Sequence, residues 1–354
     1  MQAFALPGVY GWAAWQPDRD IFFWSYFFVR DGGNVVVDPL PLSDQDAAEI
    51  EKLGGVQTVI ITNRDHVRDV ENIRRRFGAR VVASGTEAPL LGIDVDATFD
   101  DGTEVCPGIR AVALEGAKTP GEVALVIPSM RAVLFGDAVI GKPAGALSLL
   151  PDEKLADAGA LLRSLRRVWA YRPDALLLGD GAPAPSGGDA LLGALLELRG
   201  GPAINRINLD ELRFEPFSDA GGRYAGEDAE VGFLIGARKL GYRFARVAPG
   251  ARYCPMHAHD KEEEMFFVIE GKPSIRTTRG TVELRAGDVI AFPTGERGTH
   301  QLLNESDKPC LLLLLGMSDP DEVCYYPDSG KILIERHDLI VATEPVLDYY
   351  HGEE

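Results

Sequence analysis

Cysteine is scarce in this chain: 354 residues hold four, Cys106, Cys254, Cys310 and Cys324, with no CxxC pair. A disulfide framework is not expected, and a reducing, cytoplasmic setting fits. Positive charge is also short, with 36 Lys and Arg against 54 Asp and Glu and a net charge of −18. That argues against a basic face for nucleic acid or anionic membrane. No apolar run reaches the ~18 residues of a membrane-spanning helix. The N-terminal stretch lacks a positive start and a signal-type cleavage site. Residues 141–148 (GKPAGALS) lack the Gly-Lys-Ser/Thr ending of a phosphate loop, and there is no G-x-S-x-G elbow. Partners of the small-molecule kind are left.

A chain of this length suggests about two domains. In the first half, apolar runs at 34–38, 56–62, 80–84, 111–114, 123–127, 132–135 and 175–178 read as strands. Segments 68–77, 155–171 and 189–199 have helical spacing. Strands mixed with helices indicate a layered α/β domain, taken as 1–199. Residues 200–229 read as a linker running into edge strands. From 230 to 345 short β runs dominate, at 231–235, 243–247, 265–269, 274–278, 281–284, 289–292 and 310–315, with turn residues between them. That pattern predicts a sandwich or barrel. Residues 346–354 read as an acidic tail.

The strongest chemical signal is His257, His259, Glu264 and His300. Histidines two apart on a strand share a face, because strand side chains alternate. A carboxylate five residues on and a third histidine one hairpin later can reach that face. Three imidazoles and one carboxylate suit one divalent transition metal, Zn, Fe, Mn, Ni or Co. In an octahedral site four protein ligands leave two positions open; a tetrahedral zinc would be closed. Glu262 and Glu263 read as solvated turn carboxylates, with a ligand role as the alternative. Tyr253 shares strand parity with the histidines while Cys254 does not, so Tyr253 is the inward candidate. Phe266, Phe292 and Gln301 lie beside the ligand segments as further candidate cavity-lining residues. Residues 326–331 (YPDSGK) read as a turn. His337 and His351 read as surface residues.

The full spacing, HxH(x)4E(x)6G followed by G(x)5PxG and H(x)3N, closely resembles the cupin family across about residues 208–340. The resemblance implies an all-β double-stranded β-helix, the cupin jelly roll, with the metal held inside by His257, His259, Glu264 and His300. It also implies homodimerisation. One departure is that four residues separate Gly295 from His300, where the family usually has two.

Residues 5–198 resemble the metallo-β-lactamase superfamily, which implies an αββα sandwich. Asp38 ends one strand, and Thr62, Asn63, Arg64, Asp65 and His66 stand where the family has HxHxDH. Gly116 to Glu122 (GAKTPGE) replaces GH(x)TPG, Asp137 matches the bridging aspartate, and Asp180 stands where a histidine is usual. The first histidine pair is gone and Ala117 replaces another. Asp65, His66, Asp137 and Asp180 remain as a vestigial set, too few for a dinuclear site. The expectation is a metal-dependent enzyme of dioxygenase or isomerase type, acting on a small oxygenated molecule in the barrel, with a non-catalytic first domain. A metal-anchored sensor or binding protein is the alternative, and residual hydrolase activity in the first domain is a second.

Overall fold

Valine- and leucine-rich runs fold as buried strands because β-branched and apolar side chains pack well on both faces of a covered sheet. The computed structural model describes residues 1–346, 348 and 350–352; Glu353 and Glu354 of the expected acidic tail lie outside the described residues. The chain divides into two compact units, the second starting at Asn205.

In the first unit the strands form one hydrogen-bonded path. It runs through Ala97–Phe99, Arg80–Ser84, Thr58–Ile61, Val35–Val37, Ile21–Phe28, Ala175–Gly181, Ala132–Gly141, Val123–Ile127, Ile109–Ala113 and Glu104–Cys106. Its two halves join through a single register pair, Phe23 with Asp180. One apolar cluster, including Tyr26, Val37, Ile60, Leu125 and Leu134, draws on both halves. A second packs Ala124, Val126 and Phe135 against Leu161, Leu165 and Leu192 of the helices Ala158–Trp169 and Gly188–Gly200. A third packs Val36 and Ile61 against Ile50 and Ile73 of the helices Asp44–Lys52 and Val70–Phe77. Alternate residues of one strand enter different clusters, which makes the αββα arrangement. Ser43 and Asp157 cap two of the helices by accepting the Asp46 and Ala160 backbone N–H groups. No helix among the described residues is long and apolar enough to cross a membrane.

The second unit is built almost wholly of strands. A six-stranded sheet takes Glu215–Ser218, Ala225–Glu230, Leu240–Val247, Cys310–Met317, Glu264–Glu270 and Val289–Phe292 in that order. A three-stranded sheet holds Gly280–Glu283, Ser274–Thr277 and His300–Leu303. Val247, Phe266, Val268, Ile275, Leu302 and Leu312 form the barrel core. A four-stranded sheet of Ala258–His259, Val323–Tyr326, Lys331–Ile334 and Leu339–Ala342 completes the jelly roll.

Several elements differ from the sequence reading. The expected strand at 231–235 is instead the short 3-10 helix Phe233–Ile235, bracketed by Gly232 and by Gly236 in the left-handed region. The hairpin Val9–Gln16 with Ile21–Phe28 was not anticipated, and neither were the strands after 322. Where the sequence reading has a linker running into edge strands, Glu215–Ser218 and Ala225–Glu230 form the edge of the six-stranded sheet.

Candidate metal centre

The barrel strands bring the four candidate ligands together. His257 and His300 exchange backbone hydrogen bonds, His257 N to His300 O at 3.0 Å and His300 N to His257 O at 2.9 Å. His259 lies in the short strand paired with Cys324, and Glu264 opens the strand that faces Phe292 and Gly316. Glu264 Oε2 lies 3.2 Å from His259 Nε2, 3.2 Å from His300 Nε2 and 3.7 Å from His257 Nε2.

The tautomers of two ligands follow from their neighbours. His257 Nδ1 is 2.9 Å from Pro255 O, and His300 Nδ1 is 2.8 Å from Gly298 O. A carbonyl only accepts, so each Nδ1 carries the proton and donates. The Nε2 lone pairs are then free to face Glu264. Glu264 Oε2, His259 Nε2 and His300 Nε2 are buried with no hydrogen-bond partner. Buried polar atoms are normally paired, and three orphans converging on one point fit a cation bound between them. Burial holds the His300 imidazole down, which keeps its lone pair available.

The longer gap before His300 is absorbed by one 3-10 turn, Glu296–Gly298. Its last carbonyl is the one that fixes His300. A Cβ at position 298 would lie 1.8 Å from Pro293 O, so the turn requires glycine there.

Around the ligands, Phe292 stacks on His300 with ring centroids 3.7 Å apart, and Phe266 meets it edge-on at 5.2 Å. Both pack on a ligand. Gln301 is buried, donates to Cys254 O and accepts from Arg276. The parity argument for Tyr253 does not apply, because 253–256 is not a regular strand. Tyr253 instead donates to Asp228 at 3.3 Å, and the Cys254 thiol is the one that contacts His257. Glu262 is partly buried and accepts from the Asp319 backbone N–H, which corrects its reading as a solvated carboxylate. His337 and His351 are exposed.

Two residues that sequence reasoning passed over complete the site. Glu322 is 4% exposed and accepts backbone N–H groups from Asp260, Lys261 and Glu262 at 2.7, 2.9 and 3.0 Å. Its Oε1 is also 3.5 Å from His259 Nδ1. With three donors already on its oxygens, Glu322 braces the loop between His259 and Glu264; its carboxylate, that of Glu262 and His259 also gather close enough to form a second candidate ligand group. Tyr326 stacks over His257 at 6.2 Å, placing the expected 326–331 turn beside the site. Glu322 carries no local sequence signal, whereas Tyr326 opens the YPDSGK turn read from the sequence.

The first unit gathers a different cluster at the ends of its strands. His66, Asp137 and Asp180 lie close together and are all buried. His66 Nδ1 is 2.7 Å from Asp38 Oδ2, and His66 Nε2 is 2.9 Å from Asp137 Oδ1. Burial pulls the His66 pKa down, but Asp38 and Asp137 raise it further, to about 9. Asp65 is apart from this trio and is paired with Lys118, which also lies 3.3 Å from Asp137 Oδ2. Arg68 Nη2 is 2.9 Å from His66 Nε2 and 3.9 Å from Asp180 Oδ1. Lys118, Arg68 and Asp38 were not among the sequence candidates. Here the donor atoms are engaged by the chain's own cations, unlike those of the barrel.

Comparison with known proteins agrees with this division. A family model described as the metallo-beta-lactamase superfamily matches residues 1–197, and a cupin domain model matches 243–316. Hydroxyacylglutathione hydrolases from two strains of Cereibacter sphaeroides are 26% identical over 245 residues, covering 60% of this chain and 92% of their own. Among solved structures, a sugar phosphate isomerase of the cupin superfamily from Silicibacter pomeroyi is 25% identical, with a TM-score of 0.37 over 41% of this chain and 97% of its own. A metallo-beta-lactamase from Pontibacter korlensis is 17% identical, with a TM-score of 0.47 over 57% and 98%.

Proposed function

The chain belongs to the metallo-β-lactamase superfamily and carries a cupin domain after the superfamily domain; from that premise we propose that its chemistry lies in the cupin barrel, as a metal-dependent enzyme acting on a small oxygenated molecule. The observation that carries the reading is the set of orphaned ligand atoms on His259, Glu264 and His300. His257, His259, Glu264 and His300 would hold one divalent transition metal. Such an ion polarises an oxygen substituent as a Lewis acid. The residues around it have separable tasks. The Pro255 and Gly298 carbonyls orient two imidazoles. Glu322 holds the loop that carries the other two ligands. Phe266 and Phe292 keep water from the His300 ring. Cys254 and Tyr326 lie beside His257 and would be available to a substrate bound there.

Elemental analysis of the purified protein, followed by a turnover screen over small carbonyl, enediol and phenolic compounds, tests the reading. One equivalent of redox-active or labile metal with turnover supports it. A filled tetrahedral zinc with no turnover favours the binding-protein alternative. Hydrolase activity of the kind named for the Cereibacter proteins is not extended to this chain, because Lys118 and Arg68 already engage Asp65, His66, Asp137 and Asp180.

A further inference from the structure

The His66, Asp137 and Asp180 cluster of the first unit does not fit the metals of its superfamily, and the reason lies in two side chains. We propose that Lys118 and Arg68 serve as built-in cations there, so that this unit keeps its strand-end carboxylates together without metal and Lys118 masks a latent metal site at Asp65, Asp137 and the neighbouring Asp180.

Lys118 follows Ala117, the position where the superfamily pattern has a histidine. The segment that would offer a ligand therefore offers a cation one residue later. Its ammonium pairs with Asp65 and lies 3.3 Å from Asp137 Oδ2, joining two carboxylates from different elements. Burial lowers the Lys118 pKa, but Asp65 and Asp137 outweigh it and the net shift is upward, so the amine stays charged. Arg68 is 10% exposed at its side chain and reaches His66 and Asp180, while its Nη1 donates to the Trp24 and Asp38 carbonyls at 3.0 and 3.2 Å. Arg19 Nη1 is 3.8 Å from the other Asp180 oxygen.

The charges close without an ion. Asp38, Asp65, Asp137 and Asp180 face Lys118, Arg68, Arg19 and a protonated His66. Burial and the nearby Asp137 push Glu122 up to about 8, which keeps it largely neutral near pH 7. Both His66 nitrogens face carboxylates, so both carry protons and neither has a lone pair to give. Arg68 opposes that proton from 2.9 Å, but two carboxylates outweigh one guanidinium. Of the carboxylate and imidazole atoms of Asp38, Asp65, His66, Asp137 and Asp180, only Asp180 Oδ1 is a buried orphan, against three convergent orphans in the barrel.

The test counts zinc per full-length chain by equilibrium dialysis and elemental analysis. Lys118→Ala is expected to bind about one equivalent more than wild type, and Lys118→Ala/Asp137→Asn to lose that gain. Asp137→Asn alone, with Lys118 present, should leave the wild-type count unchanged. No gain in a folded Lys118→Ala protein overturns the proposal. So does loss of an equivalent in Asp137→Asn alone, which decides the matter even where Lys118→Ala does not fold. These differences do not depend on what the barrel binds.

Discussion

Replacing Glu322 with Gln isolates the brace from the ligands. The Glu322 carboxylate serves three backbone N–H groups, one on Oε1 and two on Oε2. A glutamine has one acceptor oxygen and one NH2 group. Placed to serve Lys261 and Glu262, it turns its NH2 toward the Asp260 N–H; placed the other way, it loses two bonds. At least one buried donor is left unpaired, at a cost of about 1–3 kcal/mol, and the remaining bonds lose their charge assistance. For a domain of this size that lowers the melting temperature by about 2–4 °C per kcal/mol. Because the loop carries Glu264 and the brace flanks His259 Nδ1, metal affinity should fall about 10–100-fold, as for other supporting residues around a metal. Scanning calorimetry with a competitive chelator titration of full-length Glu322→Gln measures both. Wild-type melting temperature and wild-type metal affinity together would refute the brace.

Three further outcomes follow from the same geometry. His300→Ala should lose most of the bound metal while circular dichroism stays that of a β-rich fold; full metal content in this variant would remove His300 from the ligand set. Gly298→Ala forces a Cβ against Pro293 O at 1.8 Å, so the turn must shift at a cost of about 1–3 kcal/mol, and metal affinity should drop although no ligand is touched; unchanged affinity counts against the turn as the aiming device. For the first unit, the His66 pKa is raised to about 9, so its contribution is full below about 6.5 and is lost as pH rises through 9. Glu122, raised to about 8, acts in the same direction as it ionises. The unfolding transition assigned to this unit should fall in temperature between pH 6.5 and 9, and a flat or rising profile by calorimetry refutes the buried imidazolium.

The barrel ligands were legible because their chemistry and their spacing coincide: HxH on one strand, a carboxylate at the next and a histidine after a hairpin. The valine-rich strands of the first unit were legible for the same local reason. What escaped depends on distance along the chain. Glu322 acts through backbone N–H groups about 60 residues away, which no side-chain pattern displays. Lys118 became informative only once the fold set it between Asp65 and Asp137. The 9–28 hairpin was obscured by aromatic residues on both faces, which erase the alternation of a half-buried strand. Tyr253 shows where alternation stops being a guide, since its segment leaves the strand geometry before the first histidine.

The position of Glu322 has a consequence for the order in which the site is made. The stretch matched by the cupin model ends at residue 316, and all four candidate ligands precede that point. The brace lies beyond it, as does the strand Val323–Tyr326 that pairs with His259. During synthesis the ligands therefore emerge first, on a loop still free to move, and the clamp arrives afterwards. A fragment trimmed to the matched stretch would keep every ligand and still hold metal loosely. The full-length chain is therefore expected to hold metal more tightly than that fragment, which a chelator titration of the two measures.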